Sequence, residues 1–221
     1  MARVLSVNVS RPLAVPYTDS AGGVTGIDKR PVAGAVSVAA PGPAGQAGSG
    51  VAGDAVCDLR FHGGDDQAVY AYAREDLDRW EKELGRDLTP GSFGENLTTT
   101  GIDVNSALVG ERWRIGRTVV LEVTSGRIPC RTFAGWLDQK GWVKRFTQAA
   151  VPGPFFRVLV PGEIAAGDPI EVIARPAHEV TVGFLFRAMT TQPELLPRAM
   201  AAKDALNVSY AEAIRARLAR R

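Results

Sequence analysis

The chain has 221 residues, of which 45% are hydrophobic and 23% charged, and its 26 basic and 24 acidic side chains leave a formal net charge of +2. This length and composition are typical of a globular protein with one large domain and room for a small appendage. The near balance of charge argues against a dedicated nucleic-acid-binding protein, which would carry a concentrated basic face. No apolar run approaches the roughly 20 residues of a membrane-spanning helix, so we expect neither nucleic acid nor membrane as a partner.

The two thiols and the N-terminal segment favour a cytoplasmic location. The stretch MARVLSVNVS lacks the basic region, apolar stretch and cleavage site of a secretion signal. The two cysteines, Cys57 and Cys130, are far apart and outside any C-x-x-C spacing. We therefore expect a cytoplasmic protein whose two thiols are reduced and free.

Alternating apolar and polar residues predict a series of short strands. They lie at 3–9, 32–39, 57–62, 68–72, 97–100, 111–115, 118–125, 155–160 and 170–175. A single helix among them is predicted at 75–84 from the helical spacing of Leu77 and Trp80. So many short strands lose their exposed edges most simply in a closed or nearly closed β-barrel.

The residues just before and inside the third predicted strand are distinctive. The segment 41–53 is almost entirely Ala, Gly, Pro, Ser and Gln, which predicts a flexible surface loop that supplies no core. Cys57 alternates in phase with Leu59 and Phe61, which predicts that it faces the core.

The character of the chain changes at Pro176. Beyond it apolar residues recur at helical spacing, and Pro193 and Pro197 divide them into about three short helices. We therefore expect a fold that is mainly β with α: a barrel at 1–176 followed by a small three-helix subdomain at 177–221. Short helices are marginal alone, so these pack either on the barrel or on a second subunit, and a homodimer is one arrangement that the sequence allows.

One candidate for chemistry is the cysteine of the segment RIPCR. Cys130 follows a proline and is flanked by Arg127 and Arg131. Nearby guanidinium groups favour the thiolate, which is the nucleophile and the soft-metal ligand. The alternative is a buried core cysteine without a chemical role.

A second candidate is the turn FHGG. His62 can donate a hydrogen bond or exchange a proton near neutral pH. Gly63 and Gly64 let the backbone approach a ligand closely. The alternative is a turn histidine bonded to backbone, and the spacing between His62 and Cys130 neither supports nor excludes a catalytic dyad.

Two further segments carry polar side chains. Glu95 and Asn96, in GSFGEN, either orient a ligand or satisfy loop backbone. Lys29 and Arg30, in GIDKRP, either contact a phosphate or carboxylate or lie in a solvated turn. With only two histidines, far apart, no ordinary histidine zinc site is visible, and the P-loop and the G-x-S-x-G elbow are missing.

The chain resembles the MOSC domain family, which is named after the C-terminal part of molybdenum-cofactor sulfurase. Within that family it resembles the bacterial YiiM-type proteins. The segments that carry the resemblance are, in order, GIDKRPV, DLRFHGG, LTPGSFGEN, RIPC and FFRVLVPGEIAAGD. The resemblance covers nearly the whole chain. It implies a MOSC-type β-barrel that binds a molybdenum cofactor, with Cys130 as the metal ligand. The segment 41–53 is longer than the loop associated with the family at this place, and it flanks the expected pocket in sequence.

The resemblance also implies roles for the candidate residues. The cofactor carries an anionic phosphate, for which the basic side chains are partners, and the polar loops complete its site. The implied cofactor-binding residues are Lys29, Arg30, His62, Gly63, Gly64, Asn96, Arg127 and Arg131. His62 or Glu95 would join Cys130 in catalysis by supplying a proton. The family is also associated with pyridoxal phosphate binding.

The implied reaction is the one performed by the related mitochondrial amidoxime-reducing proteins. It reduces N-hydroxylated compounds such as hydroxylaminopurines, amidoximes and hydroxylamines, and so detoxifies N-hydroxylated bases. Because no flavin or iron–sulfur motif is visible, a separate flavoprotein would have to donate the electrons. The alternative function is a non-catalytic carrier that delivers the molybdenum cofactor, or a persulfide sulfur held on Cys130.

Overall fold

The computed structural model describes residues 1–220. The strands are β1 (Arg3–Ser10), β2 (Leu13–Ala14), β3 (Val24–Thr25), β4 (Lys29–Pro31), β5 (Val36–Val38), β6 (Val69–Ala73), β7 (Leu97–Thr100), β8 (Arg112–Ile115), β9 (Val119–Gly126), β10 (Pro154–Val160), β11 (Gly162–Ile164) and β12 (Ile170–Ala174). The helices are α1 (Arg74–Leu84), α2 (Arg131–Trp136), α3 (Trp142–Ala149), α4 (Val182–Thr190), α5 (Leu196–Ala199) and α6 (Val208–Leu218). None of these helices is long and apolar enough to cross a membrane.

Eight strands form one mixed sheet in the order β12-β8-β9-β10-β6-β7-β1-β4. Only β6 and β7 are parallel neighbours in this part of the chain. The sheet closes because the Val4 amide donates to the Asp168 carbonyl (2.9 Å) and the Ile170 amide donates to the Ala2 carbonyl (3.0 Å). The edge at β12 is therefore covered by the first half of β1, whose second half pairs with β4, and the prediction of a barrel is confirmed.

Alternation along the strands fills the barrel interior. In β8, Trp113 and Ile115 are buried while Arg112 and Arg114 point to solvent. The Trp113 ring packs against Phe156 of β10 with 5.0 Å between ring centroids. This period of two is the pattern that made the strands predictable from the sequence.

The predicted strand at 57–62 is wrong. The amides of Phe61 and His62 both donate to the Asp58 carbonyl (3.4 and 3.1 Å), so the segment turns. Phe61 is exposed, and Cys57 is half-buried in a loop rather than facing the barrel core. The alternation of apolar and polar residues there does not reflect sheet pairing.

The stretch 131–150 contains two helices that are not among the predicted elements. Phe133, Trp142 and Phe146 point from α2 and α3 into an aromatic cluster with Trp80 of α1. α2 has only six residues and α3 only eight, so neither shows a clear helical period in the sequence. Gly135 inside α2 and Gly141 at the start of α3 weaken the helical pattern further.

The segment 41–53 is tied down, contrary to the prediction of a flexible surface loop. The Gly50 amide donates to the Ala68 carbonyl (2.8 Å), and the Ala39 amide donates to the Gly50 carbonyl (2.9 Å). Val51 is buried in the barrel core. A side chain at Gly50 would collide with Ala39 and Ala68, so the small residues serve close packing.

The C-terminal helices pack on the barrel. Their apolar cluster includes Val109, just before β8, together with Leu185 of α4, Leu206 just before α6 and Ile214 of α6. Arg157 of β10 donates to the Leu206 carbonyl as well as to barrel residues (3.4 Å). The division into units at 1–176 and 177–221 stays a prediction, and its last residue lies outside the described part.

Truncation after Arg175 tests this packing. It would uncover Val109 and the apolar barrel surface under α4, so we expect the shortened chain to aggregate. Size-exclusion chromatography of the truncated and full chains makes the comparison. A monodisperse, monomeric product with an unchanged melting temperature would show that the helices add nothing to the barrel.

Candidate functional site

One cavity of about 1030 Å³ collects most of the candidate side chains. It is lined by stretches between β3 and β4, by the loops on either side of the FHGG turn, by the RIPC loop and by the start of α6. Its volume is that of a site for a drug-sized ligand. The candidate residues that line it are Lys29, His62, Gly63, Asn96, Arg127 and Cys130.

Lys29 is buried in the cavity wall and forms an ion pair with Asp54. Burial lowers the pKa of Lys29, and the Asp54 carboxylate opposes this effect. Burial alone would raise the pKa of Asp54, but the Lys29 charge and hydrogen bonds more than offset it and lower that pKa. The charge of Lys29 is therefore largely compensated within the wall.

Asp54, which is not among the predicted site residues, organises this side of the cavity. It accepts from the Ser10 amide (2.9 Å) and from the Asn96 side-chain amide (2.8 Å) in addition to Lys29. Asn96 also accepts from the Tyr70 amide (3.2 Å). In the sequence Asp54 is visible only as part of a Gly-Asp pair after the small-residue segment 41–53, and that pattern does not show that Lys29 and Asn96 are its partners.

Glu95 does not line the cavity. Its buried carboxylate accepts from the amides of Gly91 (2.6 Å) and Phe93 (3.0 Å) and from the Thr98 hydroxyl (2.8 Å). Burial raises the pKa of Glu95 although these hydrogen bonds oppose it. This position does not suit the predicted catalytic role, because the carboxylate is enclosed by its own loop; it holds the loop in shape.

The variant Glu95→Ala tests this bracing role. It leaves two buried amides and one hydroxyl without an acceptor, each worth roughly 1–3 kcal/mol. We expect a loss of unfolding free energy of about 3 kcal/mol in urea denaturation. An unchanged free energy of unfolding with a large loss of turnover would instead restore a catalytic role for Glu95.

The variant Glu95→Gln tests the titration of the same group. Because the pKa of Glu95 is raised on folding, the folded chain holds this proton more tightly than the unfolded chain does. The contribution of Glu95 to stability is therefore greatest below its ordinary pKa of 4.5 and falls as pH rises through the folded value. Melting temperatures between pH 4 and 8 should show this slope in the parent chain and less of it in Glu95→Gln.

Arg127 is a buried cation without a carboxylate partner among residues 1–220. Its residue is 8% exposed, and its guanidinium lies between the rings of Phe133 (4.3 Å to the centroid) and Tyr70 (5.3 Å). One Nη donates to the Phe93 carbonyl. A buried charge is costly unless it is paired, so this side of the cavity favours an anionic ligand.

Both thiols line the same cavity. Cys130 lies immediately before α2, is half-buried and lines the cavity. Cys57 also lines the cavity, which corrects the prediction of a core position. Burial raises the pKa of the Cys57 thiol, with Lys29 opposing the effect.

His62 opens onto the cavity, and its ring has no hydrogen-bond partner in the described part of the chain. The His62 residue is exposed to solvent, yet partial desolvation by the protein around its ring and the charge of Arg127 lower its pKa, with Asp58 opposing the effect. The imidazole is therefore neutral at neutral pH. It offers one N–H donor and one acceptor nitrogen to a ligand.

The two glycines after His62 have a packing role in addition to the predicted one. Both have positive φ angles, 85° for Gly63 and 76° for Gly64. A Cβ on Gly63 would lie 2.6 Å from the Ala47 carbonyl oxygen, and one on Gly64 would lie 2.6 Å from the Ala44 Cα. The glycines therefore let the turn pack against segment 41–53, and Gly64 itself does not line the cavity.

Arg30 and Arg131 do not face the cavity. Arg30 pairs with its near neighbour Asp28 (2.5 Å), and Arg131 pairs with Asp19 (2.6 Å). The side chains of both arginines are mostly exposed. The structure does not support the predicted contact of Arg30 and Arg131 with the cofactor, because each arginine pairs with an acidic residue instead.

The chain is similar to proteins of known sequence and structure. The model of the MOSC domain matches residues 58–171. The chain is 34% identical over 184 residues to YflK of Bacillus subtilis, covering 83% of this chain and 79% of that protein. The chain belongs to the MOSC domain family. The crystal structure of YiiM from Geobacillus stearothermophilus superimposes with a TM-score of 0.75 at 25% identity, covering 99% of this MOSC chain and all of the other.

A further relative of this MOSC protein carries an enzyme name. It is a protein of Gibberella moniliformis named "Reductase", 31% identical over 138 residues. The alignment covers 61% of this chain but only 24% of the fungal protein. The activity of that larger protein therefore supports only a proposal for this chain.

MOSC domains are associated with molybdenum cofactor binding, and the cavity can be tested for that group. Within residues 1–220 no three His, Cys, Asp or Glu side chains cluster as a metal site, so Cys130 would be a single protein ligand to a metal held mainly by its cofactor. Gln67, another cavity residue, has a buried amide oxygen without a protein partner. A thiol, an unpaired guanidinium and a free amide fit a thiolate-ligated, anionic cofactor.

Proposed function

We propose that the protein is a molybdenum-cofactor-dependent reductase of N-hydroxylated compounds such as hydroxylaminopurines, amidoximes and hydroxylamines. The observation that carries the proposal is the presence of the Cys130 thiol and the unpaired Arg127 guanidinium in the wall of one cavity. Membership of the MOSC family and the name of the fungal relative support it.

The residues of the cavity divide the work of binding. Cys130 would be the protein ligand to molybdenum, and Arg127 would hold the anionic phosphate of the cofactor. The ion pair of Lys29 with Asp54 fixes another part of the wall without adding net charge. When bound, the cofactor supplies the two electrons that cleavage of an N–O bond consumes.

Reduction of an N-hydroxyl group also consumes two protons and releases water. His62 is the cavity side chain placed to relay a proton to the departing oxygen, because its ring has no protein hydrogen-bond partner among residues 1–220 and can accept a proton at one nitrogen while donating from the other. A separate flavoprotein would renew the electrons. Glu95, enclosed in its loop, takes no part in this transfer.

The test is metal analysis of the purified protein followed by a dye-coupled assay with 6-hydroxylaminopurine, benzamidoxime and N-methylhydroxylamine. We expect molybdenum close to one atom per chain and reduction of at least one of these compounds. A fully loaded protein that reduces none of them, and that transfers molybdenum to an apo-acceptor, would contradict the reductase and favour the carrier function.

A further inference from the structure

The C-terminal helices form part of the cavity wall. The start of α6 contributes Val208, Ser209 and Tyr210 to the lining, and Glu212 lines the cavity further along the same helix. The cavity therefore lies between the barrel and these helices rather than inside the barrel alone. A change in the position of α6 would change the shape of the cavity.

The start of α6 is fixed to the barrel by backbone hydrogen bonds. The Asn207 amide donates to the Thr124 carbonyl of β9 (3.2 Å). The Val208 amide donates to the Asp66 carboxylate (3.0 Å), which also accepts from the guanidinium of Arg157 in β10 (2.7 Å). The first amides of a helix have no partner inside it, so the Asp66 carboxylate satisfies one of them and attaches the helix to the barrel.

Tyr210 extends this attachment to the loop of the candidate site. Its hydroxyl donates to the Gly126 carbonyl (2.7 Å), which belongs to the peptide group that leads into Arg127. The amide of the same peptide group, that of Arg127, donates to the Gly153 carbonyl (3.3 Å). Desolvation raises the pKa of the half-buried Tyr210, so the phenol keeps its proton and remains a donor. The peptide group before Arg127 is therefore held from both sides.

Gly126 lets a second C-terminal helix pack at the same place. A Cβ on Gly126 would lie 2.9 Å from the Pro152 Cγ and 3.1 Å from the Val182 Cγ1, and Val182 is the first residue of α4. Both α4 and α6 thus pack on the residue immediately before Arg127. The backbone end of Arg127 is fixed by the C-terminal helices, whereas its guanidinium lies between two aromatic rings.

The direction of the Arg127 guanidinium matters for an anionic ligand. A guanidinium binds a phosphate or carboxylate best through two parallel N–H groups, which requires one orientation of its plane. A displacement of about 1 Å in a supporting group is enough to weaken a binding site. The Tyr210 hydroxyl can therefore affect the binding of an anion through the backbone of Arg127.

We propose that Tyr210 is a positioning residue of the cofactor site, and that the C-terminal helices take part in cofactor binding by fixing the peptide group that leads into Arg127. This inference rests on the proposed function, in which Arg127 holds the anionic phosphate of the cofactor, and it adds a residue that acts through Arg127. Tyr210 differs in this from Cys130 and His62, because it acts on the position of another side chain and not on the metal or the substrate.

The experiment measures equilibrium binding of the isolated molybdenum cofactor to the apo-protein. The variant Tyr210→Phe removes only the hydroxyl, and we expect it to lower cofactor affinity by about 3- to 10-fold, the equivalent of one hydrogen bond. In the Arg127→Met background the same change should leave cofactor affinity unaltered, because a residue that acts through Arg127 has no further effect once Arg127 is gone. Urea denaturation of each variant measures the accompanying change in stability.

The matched control is Tyr72→Phe. The Tyr72 hydroxyl also donates to a loop carbonyl, that of Val151 (3.0 Å), but Tyr72 is not among the described residues that line the cavity. We expect this variant to lower the free energy of unfolding without changing cofactor affinity. A Tyr72→Phe variant that weakens cofactor binding as much as Tyr210→Phe does would overturn the proposal, because the effect would then be a general loosening of the fold.

The remaining outcomes separate this proposal from the reductase. Unchanged cofactor affinity in Tyr210→Phe, or an equal loss of affinity in the Arg127→Met background, overturns the role of Tyr210 and leaves the reductase standing. Affinity that depends on Tyr210 through Arg127, in a loaded protein that reduces no N-hydroxylated compound, overturns the reductase and supports the role of Tyr210. An apo-protein that binds no cofactor overturns both.

Discussion

Replacing Cys130 by serine should lower the turnover of N-hydroxylated substrates by about 100-fold or more and reduce the molybdenum that co-purifies with the chain. The thiolate is the soft ligand in the cavity proposed for the metal, and groups that hold a metal typically contribute at least this much to its retention or activity. The melting temperature of the apo-protein should change little, because Cys130 is only half-buried. Metal analysis and the dye-coupled assay measure the two effects.

Cys57→Ser is the matched control, because it removes the other thiol of the same cavity. We expect it to retain molybdenum and most of the turnover. If both serine variants lost metal to the same extent, the cavity would need its two thiols together and Cys130 would not be the sole protein ligand. If neither lost metal, the cofactor would be held without a protein thiolate.

Replacing Arg127 by methionine should lower the affinity of the apo-protein for the cofactor by about 10- to 100-fold, which corresponds to the loss of charge-assisted hydrogen bonds to an anion. Methionine fills the space between the rings of Phe133 and Tyr70 without a charge. The free energy of unfolding of the apo-protein should change little, because removing an unpaired buried charge offsets the loss of the hydrogen bond to Phe93.

Arg127→Lys is the companion variant. It keeps the positive charge but loses the planar group that stacks between the two rings, so cofactor affinity should fall by less than in Arg127→Met. Equilibrium binding of the isolated cofactor and urea denaturation of both apo-variants give the two quantities. A large loss of stability with unchanged affinity would mean that Arg127 serves the aromatic cluster and not an anion.

The basic candidates show what the sequence can and cannot determine. Four cations near the motifs look alike in sequence, yet only Lys29 and Arg127 line the cavity. Arg30 finds Asp28 two positions away, whereas Arg131 finds the distant Asp19. Whether a cation is free for a ligand depends on such partners, and the distant ones become visible only in the fold.

The secondary structure was predictable where one face of an element is buried in the barrel. β1, β8 and β9 follow a period of two or a continuous apolar run, and α1 has a clear apolar stripe. The segment 57–62 has the same alternation but no partner strand, so the pattern misled. Segment 41–53 has no hydrophobic period from which its structure could be predicted. It packs against the FHGG turn because its side chains are small.

Closure of the barrel through Ala2, Val4, Asp168 and Ile170 has a consequence for how the chain acquires its structure. The first strand cannot complete its hydrogen bonds until the segment near residue 168 has been synthesised and has returned to it. Contacts between such distant segments make folding slow, in the range of milliseconds to seconds for β-rich domains. During that interval β1 has an open edge, so the nascent chain is most vulnerable to aggregation before its last barrel strand arrives.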